Sequence, residues 1–439
     1  MNGVSYRSSR DPGGGTGSAG VSFREALLAG LAGDGGLYLP DRVPSLPAAW
    51  RESGSFTAMA AAVLEPWLQE PAGSELRELV AEAIDFPVPL VPLSRERYVV
   101  ELFHGPTLSF KDFGARTMAR LMDRYLAGSG RTLTILVATS GDTGSAVADG
   151  FAGLENLRVV LLYPMDKVSD VQERQLTAAR PGLLSLRVRG SFDDCQRMVK
   201  AAFVDPLLAG VPLSSANSIN IGRLLPQQLY YLWAVAELER LRPTGDAPVI
   251  SVPSGNLGNL TAGLLAAAGG LPVARFLAAH NANDYFPRFL GGTVAPFAFR
   301  ETAATLSNAM DVGAPSNFER LHALFGAELS DLVWGAGVDD QTTMRRMEAT
   351  FIDDGYIACP HTAVGLEAVD RYRAASGDDA PALILATAHP AKFPVVVQSA
   401  LGRPAPVSPR LEALRGRPSH VDEIEADPGV LRELLLTAA

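Results

Sequence analysis

Lys111 is the first residue whose surroundings suggest chemistry. It stands in Glu-Leu-Phe-His-Gly-Pro-Thr-Leu-Ser-Phe-Lys-Asp-Phe-Gly-Ala-Arg, residues 101–116. Most lysines are solvated surface charges. Here Phe103, Leu108, Phe110 and Phe113 supply apolar bulk on both sides. Desolvation lowers the proton affinity of an amine and makes it available as a nucleophile or base. A second segment, residues 132–151, reads strand, polar turn, helix, with Ser140, Gly141, Asp142, Thr143 and Gly144 in the turn. Ser140 or Asp142 there is either an ordinary helix cap or part of a surface of small residues and free amides facing an anion or a ring oxygen. A third segment, residues 249–268, places Ser254, Gly255, Asn256, Leu257, Gly258 and Asn259 between a strand and a helix. Glycines let the backbone approach a ligand, and a helix N-terminus offers N–H groups and a positive dipole end to a phosphate monoester. The plainer reading keeps Asn256 or Asn259 as a cap. An activated lysine together with a phosphate cradle suggests pyridoxal phosphate, the lysine forming the Schiff base and the loop holding the cofactor phosphate.

Other motifs are excluded. No Gly-Lys-Ser/Thr follows the third segment, so it is not a Walker A loop. Residues 15–20, Gly-Thr-Gly-Ser-Ala-Gly, match GxGxxG literally, but no strand precedes them and they read as a flexible loop. Two distant cysteines, Cys195 and Cys359, and the absence of CxxC or HExxH argue against a metal site or a disulfide framework. Both read as buried small residues. Among six histidines, His104 is the best placed for a site role, while His361 and His389 read as structural. Arg187, Arg189 and Arg197 read as solvated faces.

The elements that must position these segments follow from periodicity. Residues 22–32 show a helical face of Phe23, Ala26, Leu27, Gly30 and Leu31, and residues 33–40 a turn into a short strand. Residues 85–93 carry too much proline for a helix or a central strand. From residue 96, apolar runs at 97–103, 132–138, 157–164, 183–190, 248–253, 273–279 and 381–388 alternate with helical patterns such as 113–127 and 225–241. This alternation predicts an α/β protein with parallel sheets, and the continuous apolar runs suit strands covered on both faces. The three chemical segments then fall at strand C-terminal ends, where open α/β sheets bind ligands. We read four parts: 1–94, an N-terminal domain; 95–235, a smaller α/β domain with Lys111; 236–401, a larger α/β domain with the phosphate loop; and 402–439, an accessory segment. The 439 residues are 47% hydrophobic and 20% charged, which excludes disorder and low-complexity classes. A net charge of -10 lacks the basic footprint of nucleic-acid binding. The longest mostly apolar run, residues 261–274, is too short to span a bilayer. The N-terminus shows no apolar signal region. The expectation is a cytoplasmic protein with no nucleic-acid or membrane partner and no metal.

Six segments resemble, in order, the signature segments of the longer, bacterial and fungal branch of the threonine synthase family: 101–116, ATSGDTGSAVADGF, SANSINIGRLLPQ, SVPSGNLGNLTAGLL, TLSNAMDVGAPSN and ATAHPAKFP. Residues 22–40 resemble the family's N-terminal domain. The resemblance implies a tryptophan-synthase-β-like fold, type II among pyridoxal phosphate enzymes, with the site between two α/β domains. It implies conversion of O-phospho-L-homoserine and water into L-threonine and phosphate, the last step of threonine biosynthesis, by a lyase that is a monomer. It assigns Lys111 as the Schiff-base lysine and Ser254 to Asn259 as the loop on the cofactor phosphate. Thr387 then faces the pyridine nitrogen, and Asp142 lies near the ring hydroxyl. Ser140, Thr143, Ser218 and Arg223 line the substrate phosphate pocket, Arg223 as a fork for the dianion. The sequence departs from the family at Ser8-Ser9-Arg10, and at Val395, where an acidic residue is common. The competing readings are a serine or threonine dehydratase, which needs no substrate phosphate site, and a catalytically silent ligand sensor.

Overall fold

The computed structural model describes residues 3–11, 20–165, 168–243 and 245–438. The glycine-rich loop read at residues 15–20 lies mostly outside them. A two-stranded antiparallel pair, β1 (Tyr6–Ser8) and β2 (Tyr38–Pro40), opens the chain. The helix Phe23–Ala29 lies between them; Ser22 caps it reciprocally with Glu25, and Phe23, Ala26 and Leu27 face inward as their spacing predicts. The helices Phe56–Leu68 and Gly73–Ala83 complete the N-terminal part.

Two sheets follow. Chain order gives β3 (Leu90–Leu93), β4 (Arg97–Glu101), β5 (Leu133–Ala138), β6 (Leu157–Pro164), β7 (Leu183–Arg189), β8 (Leu213–Ser214), β9 (Val249–Pro253), β10 (Arg275–His280), β11 (Val333–Gly337), β12 (Ala382–Ala386) and β13 (Asp422–Glu425). One sheet runs β11-β10-β9-β12-β4-β3, parallel except for β3 at its edge. The other runs β13-β7-β6-β5-β8, parallel throughout. Every residue of β5, β9 and β12 is buried, as strands covered by helices on both faces must be.

Two differences from the sequence reading have physical causes. Arg97–Glu101, grouped by sequence with the smaller domain, pairs with β12 in the six-stranded sheet, so the chain leaves that sheet after β4 and returns at β9. Leu90–Leu93 agrees with the exclusion of a helix or a central strand there: it is an edge strand, where Pro92 is tolerated. Val333–Gly337, Val-Trp-Gly-Ala-Gly, is a strand without a strand's composition; at the opposite edge it is aligned by β10 alone.

The C-terminal stretch is built into the five-stranded sheet. β13 pairs with β7, and Arg187 and Arg189, expected to be solvated, bridge to Glu423 and Glu425 across that pair. Arg187 also reaches Glu173 and Tyr163. Leu431 and Leu435 of the final helix are buried with Leu186, Val188, Cys195 and Met198. Val395 is exposed, a position free to vary. Leu431→Ala should therefore remove about 2–5 kcal/mol of stability and lower the urea midpoint. An unchanged midpoint would mean that the final helix docks without stabilising the sheet.

Candidate active site

Lys111 begins the helix Lys111–Leu126, and four groups of contacts fix that start. Residues 108–110 run antiparallel to residues 387–389: the Phe110 N–H donates to the Thr387 carbonyl at 2.9 Å, and the His389 N–H to the Leu108 carbonyl at 3.1 Å. Phe113 is held by Phe56, Phe86 and Tyr230, with centroid separations of 5.0–6.1 Å. Arg116 donates to the carbonyls of Ala83 and Glu82 at the end of an N-terminal helix. Gly114 is the fourth: a Cβ there would lie 2.6 Å from the Arg223 carbonyl oxygen, so a side chain would force the two segments apart.

The Lys111 side chain is 14% exposed, and its Nζ lies 3.9 Å from Asp142 Oδ2. Burial lowers its pKa to about 8 against the opposing pull of Asp142, with Lys392 and Arg223 adding to the fall. Burial would raise Asp142, but Lys392 and then Lys111 outweigh it and hold that carboxyl well below the usual carboxylate range. Asp112 follows Lys111 but points away from it. Its oxygens accept from the Thr107 N–H and hydroxyl, while burial lifts it to about 7.

The capping alternatives can be decided. Thr139, at the end of β5, accepts the Gly141 and Gly144 amides at 3.0 and 2.8 Å. Ser140 is exposed, and Asp142 turns its carboxylate toward the lysines. After β9, no side chain caps the helix Gly258–Ala268. Asn256 instead accepts the Ser316 N–H and donates to Ser218 Oγ at 2.6 Å. Asn259 accepts from the Tyr230 and Tyr231 hydroxyls at 2.5 and 2.7 Å. Leu257 sits in the left-handed region, φ 61°. Gly255 leaves no room for a side chain, since a Cβ would lie 2.8 Å from Met310 Cα. The result is an uncapped helix N-terminus approached by a close-packed glycine loop, a fit for a phosphate.

Arg223 lies in the short helix Ile221–Leu224 that follows the turn at residues 217–220. It is almost fully buried and donates to the Ala216 carbonyl at 2.5 Å. Its Nε has no partner, and among the described residues no carboxylate pairs with it. Burial lowers it to about 10, with Asp112 and Tyr230 opposing. A buried, unneutralised guanidinium suits an incoming anion. Thr387 is buried directly after β12, and Thr143 is half-buried. The structure thus gathers Lys111, Asp142, Thr387, Arg223, Ser218 and the loop 254–259 around the C-terminal ends of β5, β9 and β12. A buried amine, an uncapped phosphate cradle and an unpaired arginine fit pyridoxal phosphate with an anionic substrate beside it.

Three residues escaped sequence reasoning. Lys392 reaches Asp142; Asn317 donates to Ser218 Oγ at 3.2 Å and to the Asn256 carbonyl at 3.1 Å; Arg320 donates to the Tyr38 and Ile219 carbonyls. Lys392 and Asn317 lie in segments singled out above, but nothing in their spacing marks them, and Arg320 carries no signal at all. Among the histidines, His104 is half-buried and bonded to Glu101 at 2.7 Å. The one facing the lysines is His361, which burial lowers to about 4; its Nε2 accepts the Ala309 N–H. Cys195 and Cys359 are buried and free. Among the described residues no cluster of three metal-binding side chains occurs, and no helix is long and apolar enough to cross a membrane.

Comparison with known proteins agrees with this geometry. A family model described as pyridoxal-phosphate dependent enzyme matches residues 84–388. Models for the threonine synthase N terminus and C-terminal region match residues 5–84 and 362–435. A threonine synthase of Haemophilus influenzae is 41% identical, covering 95% of this chain and 97% of the relative. The crystal structure of threonine synthase from Escherichia coli superposes with a TM-score of 0.89 at 40% identity, over 99% of this chain and 100% of the other. Pyridoxal-phosphate-bound threonine synthase from Brucella melitensis gives 0.88 at 33% identity, over 99% of each chain.

The lowered proton affinity of Lys111 makes a direct prediction. In cofactor-free protein its amine gains reactivity toward an acylating reagent as pH rises through about 8, because the neutral form accumulates above its pKa. Peptide-resolved labelling rates with a midpoint near an ordinary lysine's, about 10.4, would refute the buried-amine description.

Proposed function

The chain belongs to the threonine synthase family of pyridoxal-phosphate-dependent enzymes, and from that we infer that it converts O-phospho-L-homoserine and water into L-threonine and phosphate. It is a lyase with pyridoxal phosphate as cofactor. The observation that carries the substrate assignment is Arg223, a buried guanidinium without a carboxylate, just after the turn that Asn256 joins to the glycine loop through Ser218. Two anion seats then lie side by side, one for the cofactor phosphate and one for the substrate phosphate. A dehydratase has no use for the second seat, and a silent sensor has no use for a buried reactive amine at Lys111.

In this reading, Lys111 would hold the cofactor through its amine, and the amides of residues 254–259 would hold its phosphate. Thr387 would serve the pyridine nitrogen, and Asp142 the ring hydroxyl. When bound, pyridoxal phosphate supplies an electron sink for charge left at the substrate's carbons. Lys111 supplies the proton transfers. Freed when the substrate amine takes its place on the cofactor, its amine would take the Cα proton, hand it on, take one from Cβ as phosphate leaves Cγ, and give protons back at Cγ and Cα; water added at Cβ supplies the hydroxyl, and its other proton goes to the released phosphate. An amine with a pKa of about 8 can both accept and give protons near neutrality. Arg223 and Ser218, with Ser140 and Thr143, grip the phosphate, orient Cγ for its departure and hold the free dianion afterwards. The buried ring of His361 stays neutral and leaves the proton traffic to the lysine. We further place the enzyme in the cytoplasm as a monomer without a nucleic-acid partner, consistent with its acidic net charge. A single-chain mass by light scattering is the expected result.

The decisive assay supplies O-phospho-L-homoserine and measures phosphate and threonine together. Wild type should release them in equal amounts, and Lys111→Ala should release neither while keeping its fold. Phosphate release by the variant would remove Lys111 from its role. For wild type, ketoacid formation from serine or threonine without phosphate release would support the dehydratase instead. Arg223→Ala should raise KM for the phosphorylated substrate strongly, losing about 2–5 kcal/mol of binding. An unchanged KM would put the substrate phosphate elsewhere.

A further inference from the structure

Lys392 ends the short turn Pro390–Lys392 after β12, and its side chain has no exposed surface. Its Nζ donates to Asp142 Oδ1 at 2.7 Å and to the Thr107 carbonyl at 3.0 Å. The other Asp142 oxygen lies 3.9 Å from Lys111 Nζ. Gln172 also donates to Oδ1, at 3.1 Å. One buried carboxylate therefore stands between two lysines and is bonded to only one of them. Without Lys392, the full charge of Asp142 would fall on Lys111, favour the ammonium form and take away a base. With Lys392 in contact, Lys111 faces an ion pair of no net charge.

We propose that Lys392 is a positioning residue that takes up the charge of Asp142, so that Lys111 remains available as a neutral amine. The other groups around the cluster leave this division intact. Arg223 adds positive charge from its own turn. His361 is neutral and bonded to the Ala309 N–H, and Asp112 is occupied by Thr107. Lys392 has a mechanical part as well. Through the Thr107 carbonyl, which Gln175 also contacts, it anchors the loop leading to Lys111. Through Asp142 it anchors the first residue of the helix after β5. One ammonium group, carried from the six-stranded sheet, thereby joins that sheet to the helices of the other.

The proposal rests on the reading of Lys111 as the residue that bonds the cofactor. Borohydride trapping on full-length holoenzyme followed by peptide mapping tests that reading by itself: label absent from Lys111 refutes it, whatever Lys392 does. The proposal is then tested by the pH titration of the bound-cofactor absorbance in Lys392→Met, Asp142→Asn, the double variant and Lys392→Arg. Removing the positive charge should move the midpoint up by about one unit or more. Removing the negative charge should move it down. The double variant, again without net charge, and Lys392→Arg should both return close to wild type. A packing role alone would lower thermal stability without midpoints of opposite sign. An unmoved midpoint in Lys392→Met, single variants shifting the same way, or a double variant that does not return would each overturn the proposal. If Lys392→Met alone fails to fold, the downward shift in Asp142→Asn and its reversal in the double variant supply the same test.

Discussion

Keeping an amine neutral near physiological pH means removing it from water without giving it a private counter-ion. Burial alone does the first, but a buried lysine next to a carboxylate tends to lose its use as a base. The arrangement around Lys111 meets both conditions. Its Nζ is mostly covered, its nearest carboxylate is bonded to Lys392, and its other charged neighbour, Arg223, is positive. Each of these depends on an element that arrives from a different part of the chain.

The rings and backbone bonds described above turn that charge balance into a fixed geometry. Phe113 is gripped by rings from the N-terminal part and by Tyr230, and the Tyr230 hydroxyl holds Asn259. The start of the lysine helix and the phosphate loop thus share one rigid partner. Ser218 plays the same part between the glycine loop and the turn before Arg223, receiving bonds from Asn256 and Asn317 while Arg320 ties its turn to the N-terminal hairpin. The N-terminal part therefore supports the site through backbone carbonyls and ring packing, and among its described residues none places a reactive group in it.

Much of this was legible in sequence, for identifiable reasons. The fully buried parallel strands declared themselves because burial on both faces demands unbroken apolar runs, as in Leu133–Ala138 and Ala382–Ala386. Lys111 and the loop 254–259 stood out as candidates through their neighbours in the chain: aromatic cover, glycines, a strand before and a helix after. Local pattern failed where position depends on distant contacts. Val333–Gly337 and Asp422–Glu425 are strands because β10 and β7 align them. Lys392 and Arg320 are ordinary cations until folding withdraws their water. His104 looked well placed by its distance in sequence to Lys111, yet it bonds Glu101, while His361 from a remote helix feels the charges of Lys111 and Lys392.

The pairing of β4 with β12 also sets a timetable. Arg97 meets Ala382, so the sheet that carries Thr387 and the phosphate loop cannot close until nearly the whole chain is available. Contacts so far apart in sequence close late, because the chain between them must first be confined. On the ribosome, the four strands β5 to β8 of the other sheet can assemble while β4 still waits for its neighbour, with β13 joining them last. The lysine helix would then be formed well before the strap of residues 387–389 that steadies its first turn. A nascent chain would carry the reactive amine but not its finished surroundings, and catalytic competence would appear late in synthesis, in a single step with closure of the six-stranded sheet.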